Sequence, residues 1–281
     1  MEWKRRRLLA AAASLVSVPT WAKRETEGLR IGLTPVILAD QSAFLERWSH
    51  YLSKRVGTRV HFVSRDAYQS ILDLLISGQI DAAWLCGYPY VRWRQRLELL
   101  AVPEYQGSPT YQAYLITRHD TGLRGWEGLS DRVLAYADPL SNSGWLVAQY
   151  ELARAGLTAR QLRRALFAHG HRNVAEAVHV GLADAGAIDG YVWDTLHKQG
   201  AETVAGTVVI WRSTPFGFPP LVQSSQQRHP LAAKLTEALV TMRDEPEGRE
   251  LLANLNLSGF QVGNPSLYEG IARMARAMGA L

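Results

Sequence analysis

Ser141, Asn142, Ser143 and Gly144 are the residues whose types and spacing best suit a chemical task. They close the stretch Asp138-Pro139-Leu140-Ser141-Asn142-Ser143-Gly144, which follows a strand-like run at Arg132–Ala137 and precedes a helix-like run at Trp145–Ala155. Small hydroxyl and amide side chains at such a junction cap the helix and leave backbone N–H groups pointing out of its first turn. Hydroxyls, unpaired amides and the positive end of the helix dipole together attract an anion. The same residues also describe an ordinary capped helix, so the stretch needs support from elsewhere in the chain.

Further polar candidates fall at similar junctions. His169-Gly170-His171-Arg172-Asn173 precedes a helix, and His171 or Arg172 would add positive character to an anion site. Asp189 ends a strand-like Ala187-Ile188; it either caps a helix or accepts a proton from a ligand, selecting protonated oxyanions over fully charged ones. Tyr68, Tyr88, Tyr90 and Tyr111 are the phenols placed to face a cleft and donate to an oxyanion. Most of the nine Trp and eleven Tyr residues suit core or interface packing instead. Cys86 is the only cysteine, which excludes a disulfide within the chain, and burial is the ordinary fate of such a thiol. The eight histidines show no metal-ligand spacing, and no nucleophile elbow, Walker loop or dinucleotide fingerprint is present. Neither a metal nor a cofactor is expected.

The elements that must position these residues alternate. Leu29–Thr34 reads as a strand, Ser42–Arg55 as an amphipathic helix with Phe44, Leu45, Trp48, Tyr51 and Leu52 on one face, and Arg59–Val63 as a second strand. A helix over Tyr68–Ser77 and a strand over Ile80–Leu85 complete a β-α-β-α-β order, the signature of an open, mostly parallel sheet with helices on both faces. Such sheets bind ligands at the carboxyl ends of their strands, here Thr34-Pro35, Asp66-Ala67-Tyr68 and Cys86–Tyr90. Tyr111–Thr117 reads as one longer strand leaving this unit. A second β/α cluster follows, with strands at Val133–Ala137, Ala187–Tyr191 and Val204–Trp211. Thr214–Pro220 is a rigid connector back to closing helices. Two similar units with two crossings describe a hinged clamp, with hinges near residues 115–118 and 212–217.

Composition agrees with a folded chain: 47% of its 281 residues are hydrophobic and 20% charged. The first residues stand apart. Lys4-Arg5-Arg6-Arg7 is a basic start, Leu8–Val18 a short apolar run, and Thr20-Trp21-Ala22 a small-residue cleavage point, which together make residues 1–22 an export signal cleaved near Ala22. Arg5-Arg6 hints at the twin-arginine route without completing its pattern. Of the formal net charge of +5, the signal carries +3, from four basic groups and Glu2, so residues 23–281 carry +2. That is too mild for a nucleic-acid partner.

Several segments together resemble one family: Asp81–Val91, Asp138–Gly144, Gly170-His171, Gly181–Gly190 and Val209–Ser213. They are similar to the phosphate/phosphite/phosphonate-type periplasmic substrate-binding proteins of ABC transporters, in order from about Leu29 to Val222. The resemblance implies a two-lobed type II periplasmic-binding-protein fold, with lobe 1 at residues 23–115 and 216–281 and lobe 2 at 116–215. It implies that Ser141, Asn142 and Ser143, with their amides, hold the oxyanion, and that Tyr68, His171 and Tyr111 contact it. Gly144, Cys86, Tyr88, Tyr90 and Asp189 complete the candidate set. A monomer that captures a small oxyanion in the periplasm for an inner-membrane permease is the implied function, and it is not an enzyme.

Two departures matter. Members that bind aminoalkyl phosphonates carry a carboxylate in the second crossing, whereas Phe216-Gly217-Phe218-Pro219-Pro220 contains none; an amine-free oxyanion fits better. Cys86 resembles a branch that binds arsenite through cysteine and feeds a sensor kinase, thiolate being a soft ligand suited to As(III). A sensory input is therefore the alternative. An enzyme using Cys86 as nucleophile is a third reading, but it lacks an obvious base.

Overall fold

The computed structural model describes residues 28–35 and 42–281; the expected export signal at residues 1–22 lies outside the described residues. The alternation read at the start of the chain is present as β1 (Leu29–Leu33), α1 (Ser42–Val56), β2 (Val60–Ser64), α2 (Tyr68–Ile76) and β3 (Ala82–Trp84). Helix α1 forms because its apolar residues recur on one side, and Phe44, Trp48, Tyr51, Leu52 and Val56 are buried there. α3 (Gly87–Arg92), β4 (Leu97–Glu104) and the two-residue β5 (Thr110–Tyr111) follow. The second unit runs β6 (Ala113–Arg118), β7 (Val133–Tyr136), α4 (Val147–Arg154), β8 (Arg164–Phe167), α5 (His171–His179), β9 (Ala185–Asp189), α6 (Gly190–Lys198) and β10 (Thr207–Arg212). The chain then returns through β11 (Phe216–Gly217), β12 (Leu221–Ser224), α7 (Ala232–Val240), α8 (Pro246–Asn254), β13 (Gly259–Val262) and α9 (Glu269–Ala277).

Eleven of these strands make two large sheets, and β5 with β11 makes a third, two-stranded one. The first has the order β13-β4-β12-β3-β1-β2 and the second β10-β6-β9-β7-β8. Each is mixed rather than mostly parallel. In the first, β1 pairs parallel with β2 and β3, but β12 runs antiparallel to β3 and β4, and β13 to β4. In the second, β7 is parallel to β8 and β9, while β6 is antiparallel to β9 and β10. The antiparallel strands border the two passages between sheets, where the chain reverses direction instead of looping back through a helix. The architecture is two α/β lobes joined by two crossings, lobe 1 being built on the first sheet and lobe 2 on the second.

The crossings differ in detail from the sequence reading. Tyr111–Thr117 is not one strand: Tyr111 belongs to β5, Gln112 breaks the run, and Ala113–Arg118 joins the second sheet. β5 pairs antiparallel with β11, Tyr111 opposite Phe216 and Thr110 opposite Gly217, so the two crossings are hydrogen-bonded to each other. Residues 115–118 lie inside β6, paired on both sides, and the first passage is at residues 105–112 instead. No helix of the described residues is long and apolar enough to cross a membrane.

Candidate functional site

The carboxyl ends of β7 and β9 are neighbours, because Leu134 and Ala135 pair with Ala185 and Gly186. Each end runs into a helix start, β7 into the Asp138–Gly144 turn and β9 into Asp189 and α6. β8, on the other side of β7, leads to His171 at the start of α5. Three adjacent strand ends thus converge. From lobe 1, Tyr68 opens α2 after β2 and Cys86 opens α3 after β3.

The turn is wider than an ordinary helix start. Asn142–Leu146 adopts a π-helical turn, closed by Leu146 N–H donating to the Ser141 carbonyl at 3.0 Å, before α4 begins. Ser141 Oγ caps it by accepting the Gly144 N–H at 3.0 Å. The Asn142 N–H crosses to the other lobe and donates to Cys86 Sγ at 3.2 Å. Two amides expected to face an anion are therefore engaged within the protein, and the hydroxyls carry more of the polar surface. Gly144 is required by packing. A Cβ there would lie 2.5 Å from Ala137 Cβ, 3.0 Å from His171 Cε1 and 3.1 Å from Ser141 Oγ.

His171 is fixed in orientation and charge. Its Nδ1 accepts the backbone N–H of Asp189 at 3.0 Å, so the proton of the neutral ring sits on Nε2, which lies 3.4 Å from Ser141 Oγ. Burial holds its pKa down at about 3, so the ring is a neutral donor at ordinary pH. Asp189 caps α6 by accepting the Tyr191 N–H at 2.9 Å, and burial pushes its carboxyl up to about 8. No lysine or arginine is among the groups that shift either residue.

Tyr111 Oη accepts from Asn142 Nδ2 at 3.0 Å, leaving the phenol proton to be donated. Tyr68 and Tyr111 have pKa values raised well above the ordinary phenol, chiefly by burial and next by the nearby Cys86. Both remain donors. Cys86 is buried, and desolvation pushes its thiol up to about 11. A neutral thiol that accepts an amide proton is a poor match for the thiolate that arsenic binding would use. Within this set two buried side-chain atoms, Tyr68 Oη and Asn142 Oδ1, have no hydrogen-bond partner in the protein, and Ser143 Oγ has only the Tyr111 phenol beside it, without a well-formed bond. Buried polar atoms are normally paired, so such a cluster marks a place where a polar guest completes the bonding.

A family model described as an ABC-transporter, phosphonate, periplasmic substrate-binding protein matches residues 31–268. The chain belongs to that family. Phosphonate-family binding proteins are periplasmic and work with a membrane permease, and those are this chain's compartment and partner class. A phosphate-import protein PhnD of Mycolicibacterium smegmatis is 27% identical over 223 residues, 73% of this chain and 70% of that protein. Among solved structures, PhnD1 of Prochlorococcus marinus in complex with methylphosphonate shares 18% identity at a TM-score of 0.80, covering 90% of this chain and 98% of that one. A binding-protein component of an ABC phosphonate transporter from Pseudomonas aeruginosa shares 21% identity at a TM-score of 0.80, covering 88% and 84%. At these identities the two structures establish the fold.

Seen in this phosphonate-family protein, the candidates separate into two groups. Ser141, Asn142, Ser143, Gly144, His171 and Asp189 come together with Tyr68, Cys86 and Tyr111. Tyr88 and Tyr90 do not join them. Tyr88 Oη donates to the Ala280 carbonyl at 2.9 Å while its ring stacks on Trp145, and Tyr90 packs edge-on against Tyr268. Both sit on α3, which presents these rings toward α9 and the chain end. Thr34 is also spent, its hydroxyl donating to the Trp84 carbonyl at 3.1 Å. Two contributors were missed from sequence. Asp138 reaches across the seam to accept the Tyr68 N–H at 3.3 Å, and Phe218 packs its ring on Tyr111 at 5.7 Å between centroids. Asp138 was legible only as part of the capping stretch, and Phe218 only as the second-crossing residue standing where an acid was sought.

Proposed function

We propose that this chain captures a small, amine-free oxyanion of the phosphite, phosphate or alkylphosphonate type between its lobes and delivers it to an ABC permease. The observation that carries the reading is the pair of unpartnered buried atoms at Tyr68 and Asn142, set beside the Ser143 hydroxyl, the Nε2–H of His171 and the phenol of Tyr111. These groups come from both lobes, so a guest that satisfies them is bound best when the lobes are closed, and its differential affinity drives closure. The site meets charge with hydroxyls, a neutral imidazole and a protonated Asp189 rather than with a guanidinium, which favours a singly charged, partly protonated anion. Phe218 lines the Tyr111 side with an apolar ring, and the Phe216–Pro220 segment offers no carboxylate to an ammonium. The family's role is transport of solutes, and nothing here requires turnover.

A thermal-shift panel tests this. Phosphite, phosphate or methylphosphonate should raise the melting temperature in proportion to ln(1 + [L]/Kd), and 2-aminoethylphosphonate should not. Stabilisation by the amine-bearing compound alone would overturn the specificity, and no shift with any oxyanion would overturn the function.

A further inference from the structure

One face of α6 is laid against lobe 1, although the helix belongs to lobe 2. Tyr191, Asp194, Thr195 and Lys198 stand at i, i+3, i+4 and i+7, which places them on a single helical stripe. Each makes a hydrogen bond to lobe 1 or to the head of the first crossing that leaves it. Tyr191 Oη donates to the Leu255 carbonyl, and Tyr105 Oη donates to Asp194 Oδ2 at 3.0 Å. Asn256 Nδ2 donates to Thr195 Oγ1 at 2.9 Å, while Lys198 Nζ donates to Asn256 Oδ1 at 2.8 Å. The stripe is held rigidly on both sides. Asp194 Oδ2 also accepts from Tyr114 Oη of β6 at 3.0 Å, and Asn256 adopts φ 53° just past the end of α8, the left-handed conformation that asparagine tolerates.

The other end of the same helix is in the binding site. Asp189 caps α6, its backbone N–H orients His171, and Gly190 N–H donates to the Gln112 carbonyl in the first crossing at 2.9 Å. A Cβ on Gly190 would stand 2.7 Å from that carbonyl oxygen and 2.7 Å from the Tyr114 ring, so the helix start has no room to slide. A rigid helix of nine residues therefore joins the oxyanion site to a row of interlobe hydrogen bonds that no bound anion touches.

We infer that α6 is a latch: Tyr105, at the head of the first crossing where it leaves lobe 1, and Asn256 of lobe 1, gripping the Tyr191–Asp194–Thr195–Lys198 stripe, set the closed fraction of the clamp and thereby the affinity for its ligand. The link to affinity rests on the oxyanion-capture reading; the latch itself does not. The apparent dissociation constant equals the intrinsic one divided by the closed fraction, so remote bonds that favour closure tighten binding without contacting the ligand.

Cys86 supplies the readout. As the only cysteine, with its sulfur against the Asn142 amide of the other lobe, it is labelled by N-ethylmaleimide when the lobes part. Labelling rates of the ligand-free full chain would be compared for wild type, Tyr105→Phe and Asn256→Gly, the glycine keeping the left-handed backbone, alongside the urea dependence of labelling and unfolding and phosphate dissociation rates. Phe keeps the ring packing of Tyr105 on Tyr191 and removes only the hydroxyl. Tyr105→Phe should label about 2- to 10-fold faster, the range that loss of one ordinary hydrogen bond allows, and Asn256→Gly, which loses two, at least as much. In both, labelling should depend on urea far less steeply than global unfolding does, and phosphate should be released faster. Unchanged labelling, or labelling with the full urea dependence of global unfolding, would overturn the latch. If wild type binds no oxyanion, the functional reading fails, and the labelling comparison still decides the latch.

Discussion

Two buried titratable groups of the site, His171 and Asp189, push the pH dependence of stability in opposite directions. His171 has its folded-state pKa held at about 3, below its ordinary value, so the unfolded chain binds the extra proton and stability is lost as pH falls from about 6.5 toward 3. Asp189 has its folded-state pKa raised to about 8, so the folded chain holds the extra proton and stability is lost as pH rises from about 4 through 8. Asp189→Asn should remove the second limb, leaving a variant more stable than wild type at pH 9 and little different at pH 4; equal thermal melts at pH 9 would show that the carboxyl does not ionise there. On the proposed function, oxyanion affinity should follow the same group. Above pH 8 an ionised Asp189 repels the ligand, so the ratio of wild-type to Asp189→Asn affinity should fall with pH, and taking that ratio cancels the ligand's own ionisation. Gly144→Ala addresses packing instead. The added methyl must displace Ala137, His171 or Ser141, and overpacking of this kind costs about 1–3 kcal/mol. Loss of oxyanion binding in calorimetry by about tenfold or more, with the fold retained, is expected. The hydroxyls and His171 were legible in sequence because their residue types announce donors at helix starts. The engagement of the Asn142 amide was not, since its partner Cys86 is set by tertiary approach, whereas the Gly144 amide meets the local Ser141 cap.

At the scale of elements, the seam is built from helix starts capped by the opposite lobe. α2 begins after Ala67, which has no side chain able to cap it, and its first amide, on Tyr68, is instead accepted by Asp138. The second carboxylate oxygen accepts the Leu140 N–H at 2.7 Å and holds the turn that leads to Ser141. One side chain thus caps a lobe 1 helix and shapes the lobe 2 anion turn. A cap is worth about 1 kcal/mol, roughly a fivefold change in an equilibrium constant. Asp138→Ala should therefore speed oxyanion release about fivefold in stopped-flow measurements, whereas Asp138→Asn, which retains acceptor oxygen at the same reach, should change it less. Equal effects of the two substitutions would mean that charge, rather than the cap, matters. The strands and helices themselves were readable, as α1 illustrates with its buried Phe44, Trp48, Tyr51 and Leu52 at helical spacing. The break at Gln112 was hidden because Tyr111 and Ala113 continue an alternating pattern, and only pairing with Phe216 separates β5 from β6. Likewise, Tyr88 and Tyr90 looked cleft-facing because their segment follows a strand end, but a helical turn carries both rings toward α9.

For the whole molecule, the proposed capture of an oxyanion by groups from two sheets would make binding and closure a single event. Lobe 2 supplies the Ser141–Gly144 turn, His171 and Asp189, lobe 1 supplies Tyr68 and Cys86, and Tyr111 stands on the crossing between them. An anion held by lobe 2 alone would stabilise its turn and leave α2 unaffected. An anion held by both lobes must stabilise the two together, because amides at the seam reach solvent only when the lobes part. Hydrogen exchange distinguishes these cases. At a ligand concentration of about 100 times Kd, the bound state is favoured by about 2.7 kcal/mol, which corresponds to roughly 100-fold slower exchange for any amide exposed only by opening. Phosphate or methylphosphonate should slow exchange at Asn142, whose N–H meets Cys86, and at Tyr68, whose N–H meets Asp138, by similar factors. Amides of β1 and β2, paired within the first sheet, should be unaffected beyond the global stabilisation. Protection confined to the Asn142–Leu146 turn would reduce the protein from a clamp to a one-sided anion site. Equal protection of both seams places the energy of binding in closure, the form a permease would have to recognise from either lobe's edge.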